Sequence, residues 1–525
     1  MERALVEFIE RQARKLLRRE EKKRYSDKKY QKKYWLRSGR VASVANYEEP
    51  KFWALHPHFD PKYCISHSKF LAKIIWRKVL DNTYEPIPAV RFDIPKDDGG
   101  TRQIMVFGIP DAALANMINQ KLRDRNTNIL SPFCFSYLKH RGLFDAVIQL
   151  GSYIKEDKTY IVQYDFKKFF DSIDHAYLEH VMEKKLFLMT SAERNIIKKF
   201  LIHKHATKSD YANKKFSTRN RGVPQGCSLS LFLSNLAGHE LDQDLSRKNG
   251  RFVRFADDVV CVTHNHNDAI SVVDSFRTHC RYSGISINYE KSPGITMLET
   301  KERRSFFVNN GDGDDIRIDK DFDYIGHKFT MGRIGVSSRA IKRIKARISR
   351  IIHIHLLLTP KSRKLFDSKR IGDGFFDWDL VTCINEIRRY IYGGLRTEAL
   401  IGFIDDNRKL GQLKGVMGFY PLVTNVDQFS KMDGWMINSI RRALNERYRL
   451  LATNFELGNI STPTKAQIVE GSWYGLESVK LDTKIPSFVL AWRASRKSFQ
   501  KYGLTNLKNP SYYSSMEGLF GNTYD

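Results

Sequence analysis

The chain has 525 residues, 42% of them hydrophobic, and its 88 Lys and Arg outnumber its 59 Asp and Glu, giving a net charge of +29. This length predicts three or four domains with real cores, and the charge favours a polyanionic partner, nucleic acid ahead of an anionic membrane surface. No apolar run approaches the roughly 18 residues that cross a bilayer. The six Cys are scattered and form no CxxC pair, so they support neither a disulfide framework nor a zinc site and favour a reducing, cytoplasmic location.

The N-terminal 40 residues predict a basic amphipathic helix. They hold fifteen Lys or Arg against six Asp or Glu. The apolar residues near helical spacing are Leu5, Phe8, Ile9, Leu16 and Leu17. A solvated helix face and a surface that contacts RNA both explain this composition.

The remaining chain divides into a mixed part and a helical part. Residues 61–330 alternate helical and strand-like segments, whereas the pattern beyond residue 336 is mostly helical. Ile341, Ile344, Ile348 and Ile351 form an apolar stripe there, and Lys and Arg cover the opposite face. This order of elements predicts an α+β protein with a helical C-terminal region.

Two adjacent carboxylates interrupt an apolar strand in the stretch "RFVRFADDVV", residues 251–260. Asp is depleted in strands, and a buried ionised carboxylate is costly unless it is paired or holds a metal. Asp257 and Asp258 are therefore predicted at the turn of a hairpin that displays charge. Ordinary turn chemistry is the alternative explanation, because Asp adopts turn conformations readily.

A second acidic cluster lies upstream in "YIVQYDFKKFFDSIDH", residues 160–175. Asp165 ends a predicted strand, and Asp171 and Asp174 follow in a turn that enters a helix. A strand that ends in Asp can face a hairpin that carries two more. Such a cluster suits two-metal phosphoryl transfer, in which carboxylates hold two Mg²⁺ ions about 4 Å apart.

Between the two clusters lies "RGVPQGCSLSLFLSNL", residues 221–236. Gly222, Pro224 and Gly226 predict a tight loop with Gln225 at its apex, where the amide can contact a base or sugar edge. The spacing of the four large apolar residues after the loop predicts an amphipathic helix. These residues are Leu229, Phe232, Leu233 and Leu236.

Residues 61–350 resemble the reverse transcriptase family, because seven motifs occur in the family's order. They are "IPKDDGGTRQI" (94–104), "SPFCFSYLKHRGLFDAV" (131–147), "YDFKKFFDSIDH" (164–175), "GVPQGCSLS" (222–230), "FADD" (255–258), "GISINYEKS" (284–292) and "FDYIGHKF" (322–329). The resemblance is to the bacterial branch that includes group II intron, retron and phage-defence enzymes. It implies a right-hand polymerase.

In that architecture a basic N-terminal extension covers residues 1–60, fingers and palm 61–330, a helical thumb 331–400, and a helical domain of unknown role 401–525. The resemblance implies DNA synthesis from deoxynucleoside triphosphates on an RNA template, without a membrane. A cognate non-coding RNA and an oligomeric form are further partners that the family admits.

The resemblance also assigns the catalytic roles by position. Asp165, Asp257 and Asp258, with Phe166 beside them, would hold two Mg²⁺ ions, for which Mn²⁺ is an alternative. Lys291 would protonate the pyrophosphate leaving group.

The substrate roles follow in the same way. Lys96 and Arg102 would clamp the triphosphate, and Gln225 would contact the nascent base pair. Phe170, five residues after Asp165, would lie beneath the sugar and exclude a 2′-hydroxyl. Phe255 and Ala256 would line the substrate site. Surface charge is the alternative for Lys96, Arg102 and Lys291, and core packing is the alternative for Phe170.

Two departures from the family pattern bear on function. Phe255 stands where the hairpin motif usually begins with Tyr, which removes a hydroxyl without affecting metal binding. Residues 133–142 differ from the pattern expected of an intron protein, which weakens a group II assignment. We expect a bacterial anti-phage enzyme. The alternatives are a group II intron-type maturase without an endonuclease, an RNA-dependent RNA polymerase, and a catalytically silent RNA-binding scaffold.

Overall fold

The structure is a computed structural model that falls into two compact units. The first comprises Met1–Lys22, Tyr47–Ile325 and Thr330–Gly332, and the second comprises Lys23–Asn46, Gly326–Phe329 and Arg333–Asp525. The residues that the structure describes are 1–38, 48–95, 99–154, 159–184, 187–299, 306–308, 316–361, 377–410, 413–456, 462–473 and 482–506.

The α-helices up to residue 325 are α1 (Glu2–Ser38), α2 (Pro61–Ser66), α3 (Ser68–Leu80), α4 (Ile109–Asn126), α5 (Leu143–Tyr153), α6 (Phe169–Ser172), α7 (His175–Glu183), α8 (Ser191–Leu201), α9 (Lys208–Ala212), α10 (Leu229–Ala237), α11 (His239–Leu245) and α12 (His266–Ser283). The strands are β1 (Ala89–Pro95), β2 (Thr101–Val106), β3 (Thr159–Tyr164), β4 (Phe166–Lys167), β5 (Lys204–Ala206), β6 (Ser217–Thr218), β7 (Arg251–Phe255), β8 (Asp258–Thr263), β9 (Ser286–Ile287), β10 (Gly294–Leu298), β11 (Phe306–Val308), β12 (Ile316–Asp319), β13 (Phe322–Tyr324), β14 (His327–Thr330) and β15 (Arg333–Val336). Short 3₁₀ turns cover Lys51–Leu55 and Pro57–Phe59.

The helices after residue 336 are α13 (Ser338–Ile352), α14 (Leu358–Lys361), α15 (Trp378–Tyr392), α16 (Thr397–Asp405), α17 (Asp427–Phe455), α18 (Lys465–Glu470) and α19 (Phe488–Tyr502). A π-helical turn covers His353–Leu357, and 3₁₀ turns cover Val416–Phe419 and Gly503–Asn506. The predicted α+β class with a helical C-terminal region is confirmed. No helix in the described ranges is both long and apolar enough to cross a membrane.

A six-stranded sheet forms the centre of the first unit, in the order β11-β12-β10-β3-β8-β7. β3 is antiparallel to both of its neighbours, β8 and β10. Val259, Val260, Cys261 and Val262 of β8 are all buried, so both faces of this strand are covered. β-branched residues suit such a site, because they pack well on a pleated surface.

A second sheet of four strands has the order β2-β1-β5-β6. β1 and β2 form an antiparallel hairpin in which Ile94 pairs with Arg102. Residues 96–98 of the connecting loop, which include Lys96, lie outside the described residues. Arg102 is exposed on β2.

The helix after the PQG loop is confirmed, but its predicted amphipathic character is wrong. All four large apolar residues of α10 are buried as expected, and Ser230, Ser234 and Asn235 are buried as well. The Ser230 hydroxyl donates to the Pro224 carbonyl oxygen at 2.6 Å, which satisfies one of these polar groups without water. Nδ2 of Asn235 likewise donates to the Ser136 carbonyl oxygen at 2.9 Å, whereas the buried Ser234 hydroxyl has no hydrogen-bond partner among the described residues.

The N-terminal helix is confirmed over Glu2–Ser38, and its first part is tied to the core. Leu5, Ile9 and Ala13 are buried in the main hydrophobic cluster of the first unit. Their spacing places them on one face of the helix.

The second unit is organised around the apolar stripe predicted on α13. Ile344, Ile348 and Ile351 are buried there, which confirms the pattern. A buried cation lies deeper in this unit. Nη2 of Arg447 is 3.1 Å from Asp377 and 3.2 Å from Asp379. Charges this deep persist only when they are paired.

Asp111, in the first turn of α4, makes the stability of the first unit depend on pH. The carboxylate accepts hydrogen bonds from the Tyr84 hydroxyl at 2.8 Å and the Ile87 amide at 3.2 Å. Burial outweighs both bonds and raises the pKa of Asp111 from 3.8 to about 7. Because the pKa is higher in the folded state, the contribution to stability is complete below pH 3.8 and is lost as the pH rises through about 7.

We therefore predict that Asp111→Asn flattens the pH dependence of unfolding between those two values. The urea midpoint of unfolding, measured from pH 4 to pH 8, should rise in the variant relative to the wild type as the pH increases. Asp124→Asn removes an exposed carboxylate from the same helix and should follow the wild-type curve. Parallel curves for the Asp111 variant and the wild type would show that Asp111 ionises normally.

Candidate active site

Asp165 follows the last residue of β3 and lies opposite the acidic hairpin. Tyr164 pairs with Val259, so the antiparallel register places Asp165 across from Asp258. The Asp165 amide donates to Oγ of Ser292 at 2.9 Å, and its carbonyl oxygen accepts from the Asn288 amide at 2.7 Å. These two bonds fix the main chain of Asp165 and therefore the position from which its side chain extends. At the side chain, Nδ2 of Asn288 lies 3.5 Å from Oδ2 of Asp165.

The hairpin between β7 and β8 turns over two residues. Phe255 pairs with Asp258 to close the hairpin, which leaves Ala256 and Asp257 in the turn. Ala256 has a φ of +60°, a conformation that costs a non-glycine residue about 1–3 kcal/mol. Asp257 is half-buried and Asp258 is exposed, so the two neighbours meet different environments.

The charge of Asp257 is disfavoured where it lies. Burial raises the pKa of this carboxyl above its ordinary value, and the negative charge of Asp165 raises it further. Arg102 and Arg254 act in the opposite direction. Asp165 and Asp257 are thus close enough to repel each other, and Arg102 is close enough for its charge to act on Asp257. A cation bound between the acids would relieve the repulsion.

Arg254 holds the turn from beneath. Its guanidinium binds both carboxylate oxygens of Asp242 at 2.6 Å, and its Nη1 donates to the Ala256 carbonyl oxygen at 3.2 Å. The side chains of Arg254 and Asp242 are 1% and 0% exposed. A buried bidentate pair therefore fixes the main chain of the residue that precedes Asp257.

The loop that carries Gln225 is joined to β2 through its main chain. The Met105 amide donates to the Gln225 carbonyl oxygen at 2.7 Å. Gly226 has a φ of +107°, and a Cβ there would lie 2.4 Å from the Met105 carbonyl oxygen. Only glycine fits this approach. The Gln225 side chain is partly engaged, because its Nε2 lies 3.3 Å from Oδ2 of Asp171.

The three acids offer oxygen ligands, which are the ligands that Mg²⁺ prefers. Among the described residues, no three Asp, Glu, His or Cys side chains converge so that they alone could hold a metal ion. Mg²⁺ is usually bound through one or two carboxylates, with waters and substrate phosphates supplying the other ligands. The pair of Asp165 and Asp257 fits that mode, because the strand register places Asp165 across from Asp258, the neighbour of Asp257.

Residues 94–329 match the family described as "Reverse transcriptase (RNA-dependent DNA polymerase)". This part of the chain is a reverse transcriptase domain. The match includes both acidic strand ends and the PQG loop. The matched residues also contribute strands to both the six-stranded sheet and the four-stranded sheet with Arg102.

Two curated relatives are similar to part of the chain. The COX1/OXI3 intron 2 protein of Saccharomyces cerevisiae is 22% identical, over 44% of this chain and 33% of its own length. Protein YkfC of Escherichia coli is also 22% identical, over 34% of this chain and 45% of its own length. The chain thus spans between a third and a half of the length of these relatives.

Solved telomerase structures from two yeasts are also similar. One from Candida albicans, in complex with a fragment of telomeric RNA, is 13% identical with a TM-score of 0.39 and covers 82% of this chain and 76% of that chain. An apo telomerase from Candida tropicalis is 13% identical with a TM-score of 0.37 and covers 74% and 68%.

Two aromatic residues of the domain lie beside the acids. Phe166 is buried, with its ring 5.7 Å from that of Phe169, so only its main chain is available to a metal. Phe170 is half-buried and meets Phe169 edge-on at 5.5 Å, while its carbonyl oxygen accepts from the Val223 amide at 2.7 Å. Its half-exposed ring is compatible with both of its predicted roles.

The remaining predicted residues lie at the margin of the site. Lys291 is exposed in the turn after Asn288, whose carbonyl oxygen accepts from its amide at 3.1 Å. Phe255 is half-buried, with its ring 6.5 Å from that of Tyr137. Burial and the charge of Asp257 raise the pKa of Tyr137, so a tyrosine hydroxyl approaches the hairpin even though Phe255 has none.

Sequence reasoning missed the residues that support the candidate site. Arg254 lies in the same quoted strand as the acidic pair, and an Arg within an otherwise apolar strand was a signal that a buried partner exists. The sequence around Asp242 did not indicate that this side chain is buried, because α11 has the composition of an ordinary charged helix. Ser292 lies in a recognised motif, but its bond to Asp165 depends on the fold.

We predict that Arg254→Gln destabilises the domain by about 3–5 kcal/mol, because it leaves Asp242 buried without a counter-ion. Urea unfolding measures the loss. Arg251→Gln is the matched control on the same strand. Arg251 is exposed and lies 5.3 Å from the Tyr153 ring, a contact worth about 0.5–1 kcal/mol. Equal stability of the two variants would mean that the Arg254–Asp242 pair contributes no more than a surface contact.

Proposed function

We propose that the protein is an RNA-templated DNA polymerase that uses two-metal nucleotidyl transfer. The observation that carries the proposal is the placement of Asp165 opposite the Asp257–Asp258 turn, within a reverse transcriptase domain. A catalytically silent scaffold would not need to keep a half-buried carboxylate whose charge its surroundings disfavour.

The acids of the site are arranged to receive cations. Asp165, Asp257 and Asp258, with the main chain of Phe166, would hold two Mg²⁺ or Mn²⁺ ions, which activate the attacking 3′-hydroxyl and stabilise the leaving group when bound. The chain supplies the geometry. Ser292 and Asn288 fix the main chain at Asp165, and Arg254 fixes the turn before Asp257.

Cationic side chains would handle the triphosphate. Arg102 lies within electrostatic reach of Asp257, so a guanidinium is available where phosphates would approach the acids. Lys96, in the loop outside the described residues, is proposed as its partner. Lys291 follows the turn that binds Asp165 and would donate a proton from Nζ to the departing pyrophosphate oxygen.

Deoxynucleotides are the favoured substrate. A polymerase that selects ribonucleotides needs an acceptor for the 2′-hydroxyl, and the nearest candidate is the Asp171 carboxylate. That carboxylate already accepts from Gln225 at 3.3 Å and lies 3.9 Å from Arg219. Phe170, which precedes it, offers no acceptor. This arrangement favours a reverse transcriptase over an RNA-dependent RNA polymerase.

The net charge of +29 suits an RNA partner, which both candidate biological roles require.

For the biological role we propose bacterial anti-phage defence, with a cognate RNA as template. An intron-type maturase is the second candidate, and it is favoured by the resemblance to the yeast COX1/OXI3 intron 2 protein. Sequencing the nucleic acid that copurifies with the protein separates the two, since only the maturase should retain intron RNA.

We predict that Asp257→Asn combined with Asp258→Asn abolishes DNA synthesis and leaves the fold intact. In metal-free buffer this variant should unfold at the wild-type temperature or above it, because the raised pKa of Asp257 shows that its charge is unfavourable. Primer extension and thermal unfolding are the measurements. Asp124→Asn with Asp274→Asn removes two exposed carboxylates of the same domain and should keep full activity. Extension by the first variant at the wild-type rate would refute the assignment.

We predict that Phe170→Ala keeps deoxynucleotide incorporation and increases ribonucleotide incorporation. In the wild type, a ribonucleotide would lose water from its 2′-hydroxyl without gaining a hydrogen bond, at about 1–3 kcal/mol, or about ten- to a hundredfold in selectivity. The ratio of kcat/KM for the two substrates measures the effect.

Phe70→Ala, which truncates a phenylalanine that is 58% exposed on α3, is the control and should leave the ratio unchanged. Reduced stability of Phe170→Ala with an unchanged ratio would assign Phe170 to the core instead. Equal use of both sugars by the wild type would favour the RNA polymerase.

A further inference from the structure

The exposed face of α17 in the second unit carries a cavity of about 500 Å³. We call it the α17 groove and define it by its lining residues, Trp435, Asn438, Arg441, Arg442 and Asn445. It belongs to the C-terminal region to which the sequence assigned no role.

The groove runs along one side of a single helix. Trp435, Asn438, Arg442 and Asn445 follow one another at intervals of three or four residues, which places them in one row about 15 Å long. The opposite face is apolar and buried, and it includes Met436, Ile440 and Leu444. Packing explains the buried face of the helix and, in part, Trp435, which is half-buried against the same hydrophobic cluster. It leaves the exposed polar residues of the row, Asn438, Arg442 and Asn445, unexplained.

The surroundings of the groove are strongly basic. The neighbouring helix α13 has six Lys or Arg and no Asp or Glu, and Nζ of its Lys345 lies 5.2 Å from the Trp435 ring. Residues 435–449 contain four Arg and one acid, Glu446, and one of the four, Arg447, is buried in its pair with Asp377 and Asp379. Glu446 is 2.9 Å from Arg449, whereas Arg441 and Arg442 are exposed and form no ion pair with a carboxylate in the described ranges.

These side chains suit an unpaired nucleic-acid strand. An indole ring stacks on a base of any sequence, and guanidinium groups bind phosphates. The two Asn amides can each donate to a base edge and accept from a hydroxyl, and RNA offers a 2′-hydroxyl at every sugar. An acidic peptide would use the Arg residues but would gain little from the Trp or the Asn pair.

We propose that the α17 groove binds an unpaired segment of RNA, with a base stacked on Trp435 and phosphates on Arg441 and Arg442. The inference rests on the proposed function in one respect, which is that RNA is taken as the natural partner. It gives the helical C-terminal region a role in retaining the template or a cognate RNA.

The test measures binding of an unstructured RNA of about 12 nucleotides to the full chain over a range of salt concentrations. Arg441→Gln with Arg442→Gln should lower the slope of log affinity against log salt by about 1.4, or about 0.7 for each phosphate that is no longer neutralised. Trp435→Ala should weaken binding about fivefold or more with no change in slope, and Trp435→Phe should restore most of the affinity.

Arg408→Gln with Lys409→Gln is the matched control. It removes two exposed positive charges from the same unit at positions that do not line the groove, so the slope should stay at the wild-type value. The two Arg variants lie on the exposed face, so their folding does not depend on the removed groups. A groove variant with the same slope and affinity as the wild type would overturn the proposal.

Three further arms decide the ligand. A blunt RNA duplex should be insensitive to Trp435→Ala, and equal sensitivity would overturn the stacking role. A DNA strand of the same sequence should bind more weakly, and equal affinity would overturn the choice of RNA. Polyglutamate that displaces RNA from the groove at equal charge would instead indicate an acidic peptide site.

Extension of a short pre-annealed primer–template by the same variants separates this inference from the proposed function. The groove variants should extend that substrate normally, because it needs no additional RNA contact. If the groove variants lose RNA binding and the wild type shows no polymerase activity, the result would support the groove and reject the catalytic assignment.

Discussion

The buried pair of Arg254 and Asp242 is the interaction on which the geometry of the candidate active site depends. The guanidinium of Arg254, on strand β7, binds Asp242 of α11 and the Ala256 carbonyl oxygen in the turn after the strand, so one cation ties the acidic hairpin to α11. Gly238, between α10 and α11, is part of the same arrangement, because a Cβ there would lie 2.7 Å from Cζ of Arg254. Buried ion pairs often add little net stability, since desolvation offsets their attraction. This pair instead fixes the position of the turn that carries Asp257.

Position matters because the acids themselves oppose the fold. The turn carries a non-glycine residue at positive φ and a carboxylate whose pKa is raised by burial and by Asp165. Both features cost stability in the absence of cations. Strand β8, which is buried from Val259 to Thr263, and the Arg254 pair hold the turn in place against these costs. Local instability at a site of this kind is the usual consequence of preparing it for a charged ligand.

Residue patterns in the sequence predicted the elements that depend on periodicity and strand ends. The stripe on α13, the buried positions of α10 and the meeting of Asp165 with the acidic hairpin all follow from spacing within one segment or from the ends of two strands. The amphipathic prediction for α10 was wrong because burial on every side depends on which elements surround the helix. The bonds of Ser292 to Asp165 and of Asp242 to Arg254 were invisible for the same reason, since each joins residues whose proximity is created only by folding.

The main-chain contact between the PQG loop and β2 makes substitutions at two neighbouring positions act differently. The contact consists of the hydrogen bond from the Met105 amide to the Gln225 carbonyl oxygen and the close approach of Gly226 to Met105. It therefore does not depend on the side chain at position 225. Changing Gln225 to another residue removes amide chemistry and keeps the loop seated against the strand that bears Arg102. Changing Gly226 does the reverse, because the amide remains and the backbone must move. Adjacent positions thus separate side-chain chemistry from main-chain architecture within a single tripeptide.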